Sequence, residues 1–260
     1  MRTTWGASAL ALAGLVLLAG PAEAKKCKQD AVQVGNLCVD KYEASVWETT
    51  DAATIKKIQK GKIASAGDLG TATQHGASSD DYGVGCPDNA AGCKDFYAVS
   101  VFGVTPSAYL TQIQATAACR NAGKRLLTNG EWTAAALGTP DPGTDDGTND
   151  CNVGSTFTVA STGSRSSCVS DTGNFDMVGN LWEWVADWGD RATGSCTSWS
   201  ATYGSDYSCV GGNSVPDLPG ALIRGGGFSH GSSAGVFAVY AFNDPSVSNF
   251  IFGFRCAREP

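Results

Sequence analysis

The sequence predicts an α+β domain with little regular secondary structure, held by several disulfides. Three observations point there. All ten cysteines lie beyond an apolar amino-terminal stretch, and an even count in an exported chain implies as many as five crosslinks. Two short helices, each opened by a capping box, stand side by side in the middle of the chain. The last third breaks into short apolar runs separated by glycines and an Asn-Asp-Pro turn, the texture of short antiparallel sheets.

Residues 1–24 read as a signal peptide. Arg2 gives the basic start, Ala7 to Gly20 the apolar core, and Ala22-Glu23-Ala24 the small-x-small cleavage form. No later segment approaches 18 consecutive apolar residues, so no transmembrane segment is expected in the mature chain, and the predicted location is periplasmic or secreted. The cysteines lack the paired close spacing of a zinc knuckle: the shortest separation is Cys86 to Cys93. A formal charge of −7, with no basic run longer than Lys25-Lys26 or Lys56-Lys57, argues against a nucleic-acid partner.

Residues 25–260 are read as one domain. Val32 to Val39 alternates around a Gly35-Asn36 turn, a hairpin stapled by Cys27 and Cys38. Asp40-Lys41-Tyr42-Glu43 follows as a polar strand end, where a surface ion pair is favoured over catalytic carboxylates. Residues 48–95 are rich in small and polar groups and read as a long loop insertion, with one helical turn around Ala53 to Gln59. Cys86 and Cys93 pin its end. His75, in this loop, and His230 are the only histidines, too few for a multi-histidine iron or zinc site.

The clearest helix runs roughly from 112 to 121. Thr111 caps it with Gln114 in the box, and Gly123 closes it. The second begins at Thr128 with Glu131 in the box and stops at Gly138 and Pro140. Asp141 to Asp150 reads as a solvated acidic loop, since its aspartates lack EF-hand spacing. Cys151 is paired with Cys168, and Cys196 with Cys209, each across a polar excursion. Ala221 to Arg224, Val236 to Phe242 and Phe250 to Cys256 read as strands. The late pair returns to the first hairpin, with a disulfide from Cys119 in the first helix to Cys256 in the last strand.

The segment Asp176 to Trp188 holds three tryptophans, a Gly-Asn turn and two inward-facing polar groups, Asn180 and Glu183. Indoles bury most of their area, so it reads as a crossing point at the centre of the domain rather than a surface helix or a plain strand. Asn180 and Glu183 would then offer oxygens to a structural ion or to neighbouring backbone N–H groups.

Four segments together carry a resemblance: Gly123-Lys124-Arg125-Leu126-Leu127-Thr128-Asn129-Gly130-Glu131-Trp132, Asp176 to Trp188, Arg224-Gly225-Gly226, and Asn243 through Gly253-Phe254-Arg255-Cys256. With the opening hairpin they span about residues 27–258, and they resemble the formylglycine-generating enzyme family, also called the sulfatase-modifying-factor domain. The resemblance implies an elaborated C-type-lectin-like fold with two helices and short antiparallel sheets. It further implies structural calcium held by Asn180 and Glu183 with backbone carbonyls, and Asn152 near a second ion site.

Formylglycine-generating enzymes use two closely spaced cysteines before an Asn-x-Pro turn to bind copper and activate dioxygen, oxidising a cysteine of a target protein. Here Phe237 stands where the later cysteine is expected, and none occurs between Cys209 and Cys256. A phenyl ring cannot ligate Cu(I), so copper is not expected. Relatives that join sulfur to histidine-derived substrates need several histidines on iron, which this chain lacks. Ser232-Ser233 sits in no Gly-x-Ser-x-Gly elbow. The leading expectation is therefore a noncatalytic binding or structural protein recognising a protein, peptide or glycan, with Tyr82, Tyr97, Trp199, Tyr203 and Tyr207 as candidate contact aromatics. The alternative is an oxidoreductase that converts a target cysteine to formylglycine.

Overall fold

The computed structural model describes residues 1, 3, 26–141, 144–193, 197–210 and 213–260. Apart from Met1 and Thr3, the expected leader lies outside these residues, as does Cys196 of the fifth expected disulfide. In chain order the elements are β1 (Ala31–Val34), β2 (Leu37–Asp40), β3 (Ala44–Glu48), α1 (Ala52–Gln59), β4 (Thr73–His75), β5 (Phe96–Ser100), α2 (Gln112–Asn121), β6 (Arg125–Leu126), α3 (Asn129–Ala136), β7 (Trp182–Thr193), β8 (Thr197–Ser198), β9 (Tyr207–Cys209), β10 (Asn213–Gly225), β11 (Gly235–Tyr240), β12 (Phe252–Phe254) and β13 (Cys256–Arg258).

The fold is α+β, but the two-helix, C-type-lectin-like expectation is corrected. Three α-helices are present among the described residues, and the strands divide into three sheets, none closed in the lectin manner. One sheet has the order β1-β2-β13-β6, one β4-β3-β5, and the largest β12-β7-β10-β11-β9-β8. The first two are antiparallel throughout. The third contains parallel pairs, β12 on β7 and β9 on β11, and its β7 and β10 run to 12 and 13 residues.

The extra helix has a local cause. Asp51 caps α1 by accepting the Thr54 N–H at 2.7 Å, and Thr54 and Ile58, four apart, are its buried residues. Its low apolar content made it read as a single turn within an irregular loop. The 48–95 segment also contributes β4 to a sheet, so it is built into the fold. In α2 and α3 both capping boxes form as the sequence predicts.

The tryptophan-rich segment is a strand after all. In β7, Trp182 and Trp184 share one face by the two-residue alternation and are buried, while Trp188, midway along the strand, is 54% exposed. The Trp184 indole donates to Leu110 O at 3.1 Å, fixing α2's entry against the sheet. Four disulfides tie the layers: Cys27–Cys38, Cys86–Cys93, Cys119–Cys256 and Cys151–Cys168, and Cys209 is disulfide-bonded too. Of the late strands, β13 alone returns to the first hairpin, pairing with β2 and β6; β11 stays in the large sheet beside β10.

Candidate functional site

A buried assembly of charged groups sits beneath β7. Opposite its tryptophan neighbours, Glu183 turns to the other face and meets Arg255, which joins β12 to β13. The Arg255 Nη2 donates to Glu183 Oε1 at 2.5 Å and Nε to Oε2 at 2.7 Å, while the Trp132 indole donates to Oε2 at 2.7 Å. Arg255 also donates to Phe175 O and Asp40 O, so its guanidinium is bonded on every side.

Next to this pair the turn before β7 presents Asn180. Gly179 has φ +77°, and a Cβ there would run into the Asn152 backbone, so glycine alone suits the position. Asn180 itself is left-handed, a conformation its short amide tolerates. Its Nδ2 donates to Glu43, whose second oxygen accepts the Leu181 N–H at 3.0 Å. Its Oδ1 accepts from Ala160 N at 2.8 Å and from Asn152 Nδ2 at 3.0 Å. Asp40 and Glu43, the carboxylates of the stretch expected to carry a surface ion pair, are both buried; Asp40 pairs with buried Lys124 at 2.6 Å. Burial pushes the Asp176 carboxyl up to about 7 and raises Glu43 well above the usual carboxylate range, with neighbouring carboxylates adding to it.

The structure thus joins Asn152 to Asn180 and gives Glu183 to Arg255. An ionised carboxylate has about four acceptor positions, and in Glu183 they are taken by the guanidinium and the indole. A calcium ion at Glu183 would have to displace a buried cation already in place. The residues as arranged do not fit calcium there.

A cleft of about 500 Å³ opens beside β11, between Trp182, Tyr207, His230, Tyr240, Asn243 and Asn249. A larger depression, about 770 Å³, lies between the first hairpin and the last residues, lined by Lys28, Lys60, Lys62 and Arg258 among others. The cleft is the better candidate because rings and amides converge in it, as small sites require. His230 faces two donors, the Trp182 indole 3.2 Å from Nε2 and the Gly227 N–H 3.3 Å from Nδ1, and its neutral ring accepts from one of them at a time. Burial lowers its pKa, and a protonated ring would set N–H against N–H.

Phe237 lies on β11 with its ring 5.2 Å from Tyr203 and 6.1 Å from Trp199. Trp199 and Tyr203 are 39% and 45% exposed, whereas Tyr82 and Tyr97 are buried and Tyr207 half-buried. His75 turns its ring nitrogens to two acceptors near its own loop, with Nε2 3.0 Å from Glu48 Oε2 and Nδ1 2.9 Å from Asp81 O, so the ring N–H donates there. Among the described residues no cysteine is free.

The model of the sulfatase-modifying factor enzyme 1-like domain matches residues 71–260. The chain belongs to this family. A formylglycine-generating enzyme of Thermomonospora curvata is 30% identical to this family member over 176 residues, covering 60% of this chain and 56% of that enzyme. One from Streptomyces coelicolor is 29% identical over 175 residues, covering 59% and 52%. The chain therefore spans a little over half the length of these curated relatives. Among solved structures, the Major Tropism Determinant P3c variant superimposes with a TM-score of 0.51 at 20% identity, over 89% of this chain and 52% of that one. That likeness is one of fold alone. In this family member the described cysteines form structural crosslinks rather than a free catalytic pair.

Sequence reasoning missed Arg255, Glu43 and Asp176 as parts of the centre. The available signal was chemical: charged residues set inside otherwise apolar or turn-forming runs, as in Gly253-Phe254-Arg255-Cys256. The hydrogen-bonding partners of Arg255 and Glu43 lie 72 or more positions away, beyond any periodicity.

Proposed function

We propose that this protein is an exported, noncatalytic binding or structural protein on a sulfatase-modifying-factor scaffold, taking a peptide, protein or glycan segment against β11. The observation that carries the reading is Phe237: a hydrocarbon ring packed edge-on against Tyr203 and tilted against Trp199 stands where the oxidising relatives are expected to hold a thiolate. The cleft lined by Tyr240 of the same strand offers aromatic rings and neutral hydrogen-bonding amides, groups suited to an uncharged polar chain. Its one histidine is engaged rather than free to move a proton. The disulfides and the apolar leader support a periplasmic or secreted location.

The test pairs two measurements. Incubation with copper, dioxygen and a cysteine-containing peptide should yield no aldehyde above a protein-free control, and arrays of peptides and glycans should give a signal that Tyr240→Ala or Trp199→Ala weakens at least tenfold. Conversion of the peptide thiol to an aldehyde would overturn the reading in favour of an oxidoreductase acting on target-protein cysteines.

A further inference from the structure

We propose that Asp141 and Asp206 hold a hard divalent cation of the calcium class, at a site apart from the β7 centre. Asp141 follows α3, and Asp206 ends the turn that leads into β9. Two successive N–H groups of β11 hold the carboxylates side by side: Val236 N donates to Asp141 Oδ2 at 2.7 Å and Phe237 N to Asp206 Oδ2 at 2.6 Å. Each carboxylate therefore has one oxygen tied to backbone and one left over. Both remaining oxygens, Asp141 Oδ1 and Asp206 Oδ1, are buried with no hydrogen-bond donor, and Asp206 is 0% exposed.

The two free oxygens crowd one space. A Cβ placed on Gly204 would lie 2.9 Å from Asp206 Oδ1 and 3.0 Å from Asp141 Oδ1, and a Cβ on Gly235 would strike the Asp206 carboxylate. Glycine at both positions keeps that space open. The neighbouring cation does not fill it: Arg224 donates to Ala238 O at 2.8 Å, Val236 O at 2.9 Å and Asn129. Two adjacent, partly desolvated carboxylates with unmet acceptor capacity repel each other unless a positive charge enters. An all-oxygen set selects a hard ion, and calcium's variable coordination number allows water from the half-buried Asp141 side to complete it.

The competing arrangement is a single proton shared between the two carboxyls, and the experiment separates them. Terbium(III) luminescence, excited through tryptophan, suits the site because Trp199 N donates to Asp206 O at 2.8 Å. On the full chain we expect saturable terbium emission that calcium displaces. We also expect a melting temperature raised by about 5 °C at hundredfold calcium excess. Asp206→Asn should abolish both responses, and Asp141→Asn, at the more open position, should weaken binding at least tenfold if the first variant does not fold. The proposal is overturned if the folded variants keep the wild-type calcium response. It is equally overturned if neither terbium nor calcium produces a saturable response in the wild type, which would leave the shared proton as the arrangement.

Discussion

The two buried carboxylate sites of this molecule differ in how their charge is met. Beneath β7, Glu183 is closed by Arg255 and an indole, and Asp40 by Lys124, all from distant parts of the chain. Beside β11, Asp141 and Asp206 face each other with one oxygen apiece unmet, and burial together with the neighbouring carboxyl pushes Asp206 up to about 7. The difference teaches where the chain supplies its own counterion and where it leaves room for one. A closed site is destabilised by removing either partner; an open one is stabilised by adding what it lacks.

Substitutions can break or sharpen that contrast. The largest expected effect is from Glu183→Ala, which leaves Arg255 buried and uncompensated; chemical denaturation should show a loss of about 4 kcal/mol. A loss below about 1 kcal/mol would mean the pair is not central. Lys124→Met should cost about 3 kcal/mol by the same measurement, since Asp40 and Asp30 lose their shared ammonium. An exposed pair sets the lower bound. Glu131, at the start of α3, bonds Arg125 at 2.7 Å, and that contact with the cap holds its carboxyl down at about 2.

Because the folded value is depressed, its contribution is present above the ordinary glutamate range and lost as pH falls toward 2. Glu131→Gln should cost about 1 kcal/mol near neutrality, reduced from what burial would give by solvent screening. The gap from wild type should close in acid-range melting curves, and a gap that widened there would reverse the assignment. Asp206→Asn should have the smallest effect in chelator, at or above wild-type stability by thermal melting, because the amide can donate to Asp141. Strong destabilisation would put the two sites in one class.

How much of this was legible in the sequence depends on distance along the chain. The α2 and α3 boundaries could be read because Thr111 with Gln114, and Thr128 with Glu131, act within four residues. Compartment chemistry and spacing made the cysteines readable. The third helix was hidden because α1 carries its apolar side on little more than Ile55 and Ile58. The sheet plan was hidden because parallel pairings such as β12 on β7 join segments whose local patterns say nothing of partner or direction. Asp145, read as a solvated loop residue, instead accepts the N–H groups of Val153, Gly154 and Ser155. Asp141 was set aside with it, because nothing near it in the chain announces Asp206.

The position of β13 bears on how the molecule is made. Residues 256–258 lie between β2 and β6, and Cys256 carries the bond to α2. A growing polypeptide that has not yet produced them leaves the first hairpin without its neighbour and Cys119 without its mate. The amino-terminal sheet must therefore wait until residues 256–258 have been synthesised, more than two hundred positions after the hairpin they complete.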